Sequence, residues 1–442
     1  MDINSDFVVP TLGKCSIDSP FNLGKLKGDQ QFDFVADTER ILFDDTLRNY
    51  ESCIKDGIPP LTFEVAGPRE KIYFDASKVK AAIVTCGGLC PGLNNVIRAI
   101  VMELHYRYGA KSIFGIKYGY QGFLPKNKFE PIMLTPDKVR DIHTQGGTIL
   151  GSSRGGNDVQ QIVDALERLN VNMLFTIGGD GTLHGAYEIH KEITERKLKI
   201  SVIGIPKTID NDVVFVDKTF GFETAFSLAV NAITSAQIEA EGGYNGIGLV
   251  KLMGRESGFI AANAALARSM VNFVLVPELD FDLEGPNGFL AHLEKRLKER
   301  HHAVVVIAEG IGQDWADKDL GDSKDASGNK KLFDCGTYLK DVIQKYMKER
   351  SIEHSIKYID PSYMIRSAPA APNDSIFCSQ LGQNAVHAAM AGKTGIAIGR
   401  WHKTFTHIPI SMIAGKRNKI SLESPLWWNV LESTGQPMSM KN

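Results

Sequence analysis

Phe175-Thr176-Ile177-Gly178-Gly179-Asp180-Gly181-Thr182 connects an apolar run that begins at Met173 to a helical pattern that reaches Ile193. A short apolar run, a glycine turn and a 3.6-period stretch, in that order, form a strand feeding a helix across an open sheet. Gly179, Gly181 and Gly185 miss the dinucleotide G-x-G-x-x-G spacing by one residue. An aspartate inside such a loop repels a bare pyrophosphate unless a divalent cation lies between them. The loop therefore points to a metal-bound nucleotide rather than to a nicotinamide dinucleotide.

The same alternation repeats outward from this loop. Residues 81–85 precede a helical pattern over 95–106, residues 202–205 precede one over 223–238, and further apolar runs fall at 247–252, 271–276 and 303–308. This predicts an α/β chain of two Rossmann-like domains, each a parallel sheet covered by helices on both faces. The expected division is an N-terminal extension over 1–76, one domain over 77–224 completed by about 368–400, and a second over 225–367 with 401–442 packed on it. The extension has loop-formers at Pro59-Pro60 and Gly67-Pro68, yet Ile72-Tyr73-Phe74 and Ile41-Leu42-Phe43, with Leu47 one turn later, supply apolar anchors. It is expected to pack on the core or on another subunit. Residues 313–329 are polar and read as a solvated insertion.

Composition excludes several classes of function. The 442 residues carry 50 Lys+Arg against 52 Asp+Glu, a formal charge of −2, so there is no excess of positive charge to attract nucleic acid or anionic lipid. No apolar run reaches the roughly 18 residues of a membrane span, and residues 1–18 lack the pattern of a signal peptide. Six scattered cysteines form neither a disulfide framework nor a zinc pattern, which fits a reducing cytoplasm.

In open parallel sheets, ligands bind at loops leaving the carboxyl ends of strands. Here the first such loop is Cys86-Gly87-Gly88-Leu89-Cys90-Pro91-Gly92-Leu93-Asn94, whose glycines let backbone N–H groups approach an anion; a purely structural turn is the alternative. A third loop, Pro206-Lys207-Thr208-Ile209-Asp210-Asn211-Asp212, sets a lysine beside two carboxylates that can divide metal binding from proton acceptance, or simply cap a helix. Met253-Gly254-Arg255-Glu256, Glu309-Gly310 and Tyr363-Met364-Ile365-Arg366 follow, the first and last bringing arginines suited to phosphate; taken singly each reads as a surface residue, and their joint placement favours a site. Gly392-Lys393-Thr394-Gly395 imitates the end of a Walker loop, but His387 stands where the first glycine is needed.

Taken together, these loops resemble the 6-phosphofructokinase family over about residues 78–400. Thr85-Cys86-Gly87-Gly88-Leu89-Cys90, Pro206-Lys207-Thr208, Pro361-Ser362-Tyr363-Met364-Ile365-Arg366 and Ala66-Gly67-Pro68-Arg69 look like its plant and trypanosome branch. The resemblance implies the phosphofructokinase fold, fructose 6-phosphate as acceptor, Mg²⁺, cytoplasmic glycolysis and a homo-oligomer, a tetramer being favoured over a dimer. Asp210 would be the general base for the 1-hydroxyl, with Thr208 and Ile209 beside it. Asp180 would hold Mg²⁺, with Asp212 as a second metal residue. Gly88, Arg154, Gly155, Gly179, Asp180, Gly181 and Thr182 would bind the donor. Arg154 and Arg255 would neutralise charge on the transferring group. Glu309, Met253 and Gly254 would meet the sugar, while Lys357, Tyr363 and Arg366 would take the 6-phosphate. Bacterial relatives have a histidine where Tyr363 stands, an arginine where Lys357 stands, and another arginine at Gly246 that reaches a neighbouring subunit's site.

The donor is ATP or pyrophosphate, and two residues bear on the choice. Lys207 is the pyrophosphate-type residue and Gly181 the ATP-type one. An aspartate at 181, as in pyrophosphate enzymes, would intrude on the α-phosphate by volume and by charge, so Gly181 outweighs a lysine that both donors accept. ATP is the expected donor. NAD kinases and lipid kinases share a Gly-Gly-Asp-Gly-Thr loop but do not resemble this chain at Thr208 to Asp212. A silent sugar-phosphate sensor on the same fold is opposed by the presence of both Asp180 and Asp210.

Overall fold

The structure, a computed structural model, describes residues 7–24, 30–155, 158–315 and 332–442. The polar stretch from 316 to 329 lies outside the described residues. The chain divides into two units. The larger comprises Met1–Thr208, Val213–Phe220 and Ala368–Lys416, and the smaller Ile209–Asp212, Gly221–Ser367 and Arg417–Asn442. The chain thus leaves the larger unit between Thr208 and Ile209 and returns to it at Val213.

The larger unit is built on five parallel strands in the spatial order Ser112–Ile116, Lys80–Thr85, Met173–Gly178, Ser201–Pro206 and Ile396–Trp401. Lys80–Thr85 reads Lys-Ala-Ala-Ile-Val-Thr and is buried beyond its first residue; Met173–Gly178 and Ser201–Pro206 are buried throughout. Such unbroken runs suit strands covered on both faces. Antiparallel strands extend both edges. Ile132–Met133 joins Ser112–Ile116, while Thr404–Pro409, Thr62–Val65 and Arg40–Leu42 continue beyond Ile396–Trp401 to give nine strands.

The N-terminal extension is therefore part of this sheet. Its anchor is aromatic: Phe43 stacks on Trp401 with ring centroids 5.4 Å apart, Phe7 lies 5.1 Å from Phe63, and the Trp401 indole donates to the Phe43 carbonyl at 2.7 Å. Ile72 is buried, whereas Leu47 is 69% exposed. The Thr404–Pro409 strand, expected with the other domain, belongs to the larger unit because it pairs antiparallel with Ile396–Trp401 through a tight hairpin.

A buried ion network fastens the extension. Arg69 meets Glu64 and Asp37, each at 2.9 Å, and Lys393 meets the same two carboxylates at 2.8 and 2.9 Å. His407 donates to Glu64 at 3.0 Å. Lys393 of the Walker-like tetrapeptide is thus a structural cation. Burial by itself raises the Glu64 carboxyl, but hydrogen bonds from His407 and Lys393 outweigh it and hold the group down at about 2. Its native value lies below its unfolded one, so the stabilisation is present above the ordinary carboxylate range and is lost as pH falls towards 2. Arg69→Leu breaks a buried pair from one side and is expected to destabilise by about 3–5 kcal/mol. A urea midpoint unchanged from the parent would contradict this.

In the smaller unit all four strands are parallel, in the order Phe273–Leu275, His302–Ala308, Gly246–Leu252 and Ser355–Ile359. The helices Phe222–Glu241, Phe259–Ala267, Phe289–Arg300 and Cys335–Glu349 cover it. Pro425–Thr434 packs on Phe259–Ala267.

Candidate active site

In the larger unit, three neighbouring parallel strands end in the loops singled out from sequence. Lys207 ties them together: its main-chain N–H donates to the Gly178 carbonyl at 2.9 Å and its buried ammonium to the Gly88 carbonyl at 2.8 Å. The Arg154 segment is fastened to Gly87 of the first of these loops. Gly87 N–H donates to the Ser153 carbonyl at 3.0 Å, and the Ser152 hydroxyl donates to the Gly87 carbonyl at 2.6 Å. Gly155 closes that segment. Burial pushes the Cys86 thiol up to about 12, so this cysteine is packing rather than a nucleophile.

Asp180 is the first residue of the helix Asp180–Glu195, with Gly179 as its N-cap. A carboxylate there is favoured by the helix dipole. One of its oxygens accepts from the Gly415 N–H at 2.7 Å. Gly181 follows, exposed, and a Cβ built on it meets nothing within 4 Å. Thr182 is buried, its carbonyl accepting from the Tyr120 hydroxyl at 2.8 Å.

In the smaller unit the Asp210 carboxylate accepts from the Arg255 main-chain N–H. Burial, with the negative charges of Asp212 and Glu309, raises its carboxyl to about 7, opposed by Arg417. The Met253–Gly254–Arg255 and Glu309–Gly310 loops are zipped together, Gly310 N–H donating to the Gly254 carbonyl at 3.1 Å. A Cβ on Gly310 would lie 2.0 Å from the Arg255 carbonyl oxygen, so glycine is required there. Burial likewise raises the Glu309 carboxyl, while the cations of Lys251, Arg255 and Arg366 pull it down. Asp210, Arg255, Glu309 and Arg366 thus form one electrostatic group, with buried Met253 beside it.

Two expected residues point away from this group within the single chain, and a third lies in it with a competing partner. Lys357 pairs with Glu239 of the helix Phe222–Glu241 at 3.8 Å, because its strand directs it onto that helix. Tyr363, in the first turn of the helix Ser362–Arg366, is 83% exposed, whereas Arg366, three residues later, acts on Glu309. Asp212, expected to serve the metal, is buried and paired with Arg417, a cation that competes for the same oxygens. Among the described residues no group of three or more His, Cys, Asp or Glu side chains is placed to hold a metal ion. At Gly246 a Cβ would come within 2.1 Å of the Ala240 carbonyl oxygen, so this backbone admits no larger residue there without shifting.

Arg417 was not singled out from sequence. It sits in Gly415-Lys416-Arg417-Asn418-Lys419, a basic run that reads as a solvated face. Nothing local marks it as the partner of an aspartate 205 residues away.

Parallel sheets whose strand ends carry phosphate-type glycine loops in one unit, and a carboxylate–arginine group in the other, define an α/β phosphotransferase. The chain belongs to the phosphofructokinase family, whose model matches residues 80–389. It is 54% identical to the ATP-dependent 6-phosphofructokinase of Borreliella burgdorferi, over 99% of this chain and 98% of that one. It is 51% identical to the chloroplastic ATP-dependent 6-phosphofructokinase 5 of Arabidopsis thaliana, over 84% of this chain and 68% of that one. Among solved structures, a pyrophosphate-dependent phosphofructokinase from Nitrosospira multiformis aligns with a TM-score of 0.64 at 19% identity, over 80% of this chain and 91% of that one. The Pichia pastoris enzyme in its T-state aligns with 0.62 at 21%, over 76% of this chain and 35% of that one. At such identities the structural likeness concerns the fold alone.

Proposed function

We infer that the chain transfers the terminal phosphoryl group of ATP to the 1-hydroxyl of fructose 6-phosphate, giving fructose 1,6-bisphosphate. The observation that carries this reading is the near-full-length identity to relatives named ATP-dependent 6-phosphofructokinase. Gly181 supports the same donor, because its open position leaves room for an α-phosphate.

The residues divide the chemistry as follows. Asp210, with a carboxyl raised towards neutrality, takes the proton of the attacking 1-hydroxyl. Arg255 and Arg154 offset charge on the transferring group, while the backbone N–H groups of Gly88, Gly179, Gly181 and Thr182 line the donor phosphates. Glu309 accepts hydrogen bonds from sugar hydroxyls, and Arg366 receives the 6-phosphate. Mg²⁺ commonly takes one or two carboxylates with waters and substrate phosphates rather than an all-protein cage. Asp180 fits that need, holding one oxygen on Gly415 at the mouth of the donor loop. When bound, the ion would screen the donor phosphates. Asp180→Ala is expected to shift the Mg²⁺ dependence of turnover to higher concentration; an unchanged titration curve would remove Asp180 from the metal.

Two further assignments belong to this reading. A homo-oligomer, a tetramer before a dimer, is supported by the adjacent exposed apolar side chains of Tyr363 and Met364. A cytoplasmic location is supported by six cysteines that are all free thiols. No helix among the described residues is long and apolar enough to cross a membrane.

A coupled assay with fructose 6-phosphate, Mg²⁺ and either donor tests the function. Turnover with ATP is expected. Activity with pyrophosphate alone would reverse the donor, and silence with both would leave a sensor.

A further inference from the structure

The Ile209–Asp212 turn has a residue in an unfavourable conformation and little regular structure to hold it. Asn211 lies at φ +55°, in the left-handed region that asparagine tolerates better than most residues. The last part of the chain braces the turn. Arg417 Nη1 meets Asp212 Oδ2 at 2.5 Å, Arg417 Nε lies 3.6 Å from Glu256, and the Asn418 N–H donates to the Asp212 carbonyl at 2.7 Å. Two residues on, the Ile420 N–H donates to Glu278 at 2.9 Å. The same Glu278 oxygen accepts from Gly258 N–H at 3.1 Å. Ser257, between Glu256 and Gly258, donates through its hydroxyl to the Asp210 carbonyl at 3.2 Å. The 417–420 segment therefore braces the turn directly and also through the loop that follows Arg255.

We propose that Arg417 is a positioning residue for phosphoryl transfer, acting through Asp212 and Glu256 to aim Asp210 at the hexose hydroxyl. It lies outside residues 80–389, which match the family. The guanidinium suits this task because its fork addresses two carboxylates at once, which an ammonium does less well. Without it Asp212, 5% exposed, would keep a buried charge with one compensating cation fewer, and the turn would relax. The proposal rests on the assignment of proton abstraction to Asp210.

The test is a double-mutant cycle in the full chain, assayed with fructose 6-phosphate, ATP and Mg²⁺. Arg417→Met is expected to lower kcat by roughly 10- to 100-fold while both KM values stay within about threefold, and Arg417→Lys to recover part of the loss. In an Asp212→Asn background, where the partner charge is gone, Arg417→Met should cost less than about threefold more. Multiplying effects, an unchanged kcat, or a rise in KM alone would overturn the proposal. Should Arg417→Met fail to fold, the neutral pair Asp212→Asn/Arg417→Met leaves no such charge. A double variant far less active than Asp212→Asn would then overturn it. Asp210→Asn measured alongside separates the two claims: if that variant stays active, the base assignment fails, whereas an inactive one with multiplying Asp212 and Arg417 effects removes only Arg417's role.

Discussion

Asp210→Asn is expected to lower kcat by at least about 10²-fold while leaving fructose 6-phosphate binding largely intact. The amide keeps the volume and accepts from the Arg255 N–H through its oxygen, so the turn loses little ground-state contact. What it loses is the proton acceptor. The pH profile supplies a second check. Burial beside Asp212 and Glu309 raises the Asp210 carboxyl to about 7, so the ionised base is depleted as pH falls through neutrality. The parent's kcat/KM should therefore decline on the acid side of about pH 7, and any residual activity of the variant should lack that limb. Turnover within a few-fold of the parent would remove Asp210 from the chemistry. Loss of activity accompanied by a proportional rise in KM would make it a binding residue instead.

The parts of the site legible in the sequence were those carried by local pattern. Apolar runs with glycine–acid loops at their ends predicted the strands Lys80–Thr85, Met173–Gly178 and Ser201–Pro206, and with them the placing of Gly88, Asp180 and Thr208. Loops of this kind are local signals, since the strand, the turn residue and the helix start are adjacent in the chain. Contacts between distant segments left no such trace. Lys207, read as a donor-selecting charge, proves to tie Gly88 to the strand it follows, a pairing over 119 residues. Arg417 and Asp212 are farther apart still, and neither neighbourhood announces the other. The partner of Lys357 was hidden for another reason. On a strand the direction of a side chain is set by register and by the helix beneath, and the Gly248–Lys357 pairing sends it to Glu239. The N-terminal extension showed its apolar anchors but not its strands, because Arg40–Leu42 and Thr62–Val65 are too short for periodicity and depend on Thr404–Pro409 to exist.

Gly181→Asp bears on the donor, and the structure makes it a clean substitution. The position is exposed, a Cβ there meets nothing within 4 Å, and it lies in the first turn of the Asp180–Glu195 helix, where a carboxylate suits the dipole. The variant should fold and melt like the parent. Its added charge would stand in the volume needed by the α-phosphate and the nucleoside beyond it. Two like charges about 4 Å apart repel by roughly 4 kcal/mol at the intermediate dielectric of a protein surface, so ATP-dependent kcat/KM should fall by a factor of hundreds or more. Pyrophosphate has no atoms in that volume, and the ammonium of Lys207, held against Gly88, lies beside the loop that either donor would use. Any trace of pyrophosphate activity should therefore survive or rise, shifting the donor ratio towards it. Retention of ATP activity in a folded variant would mean that Gly181 does not set the donor and that Lys207 deserves the greater weight.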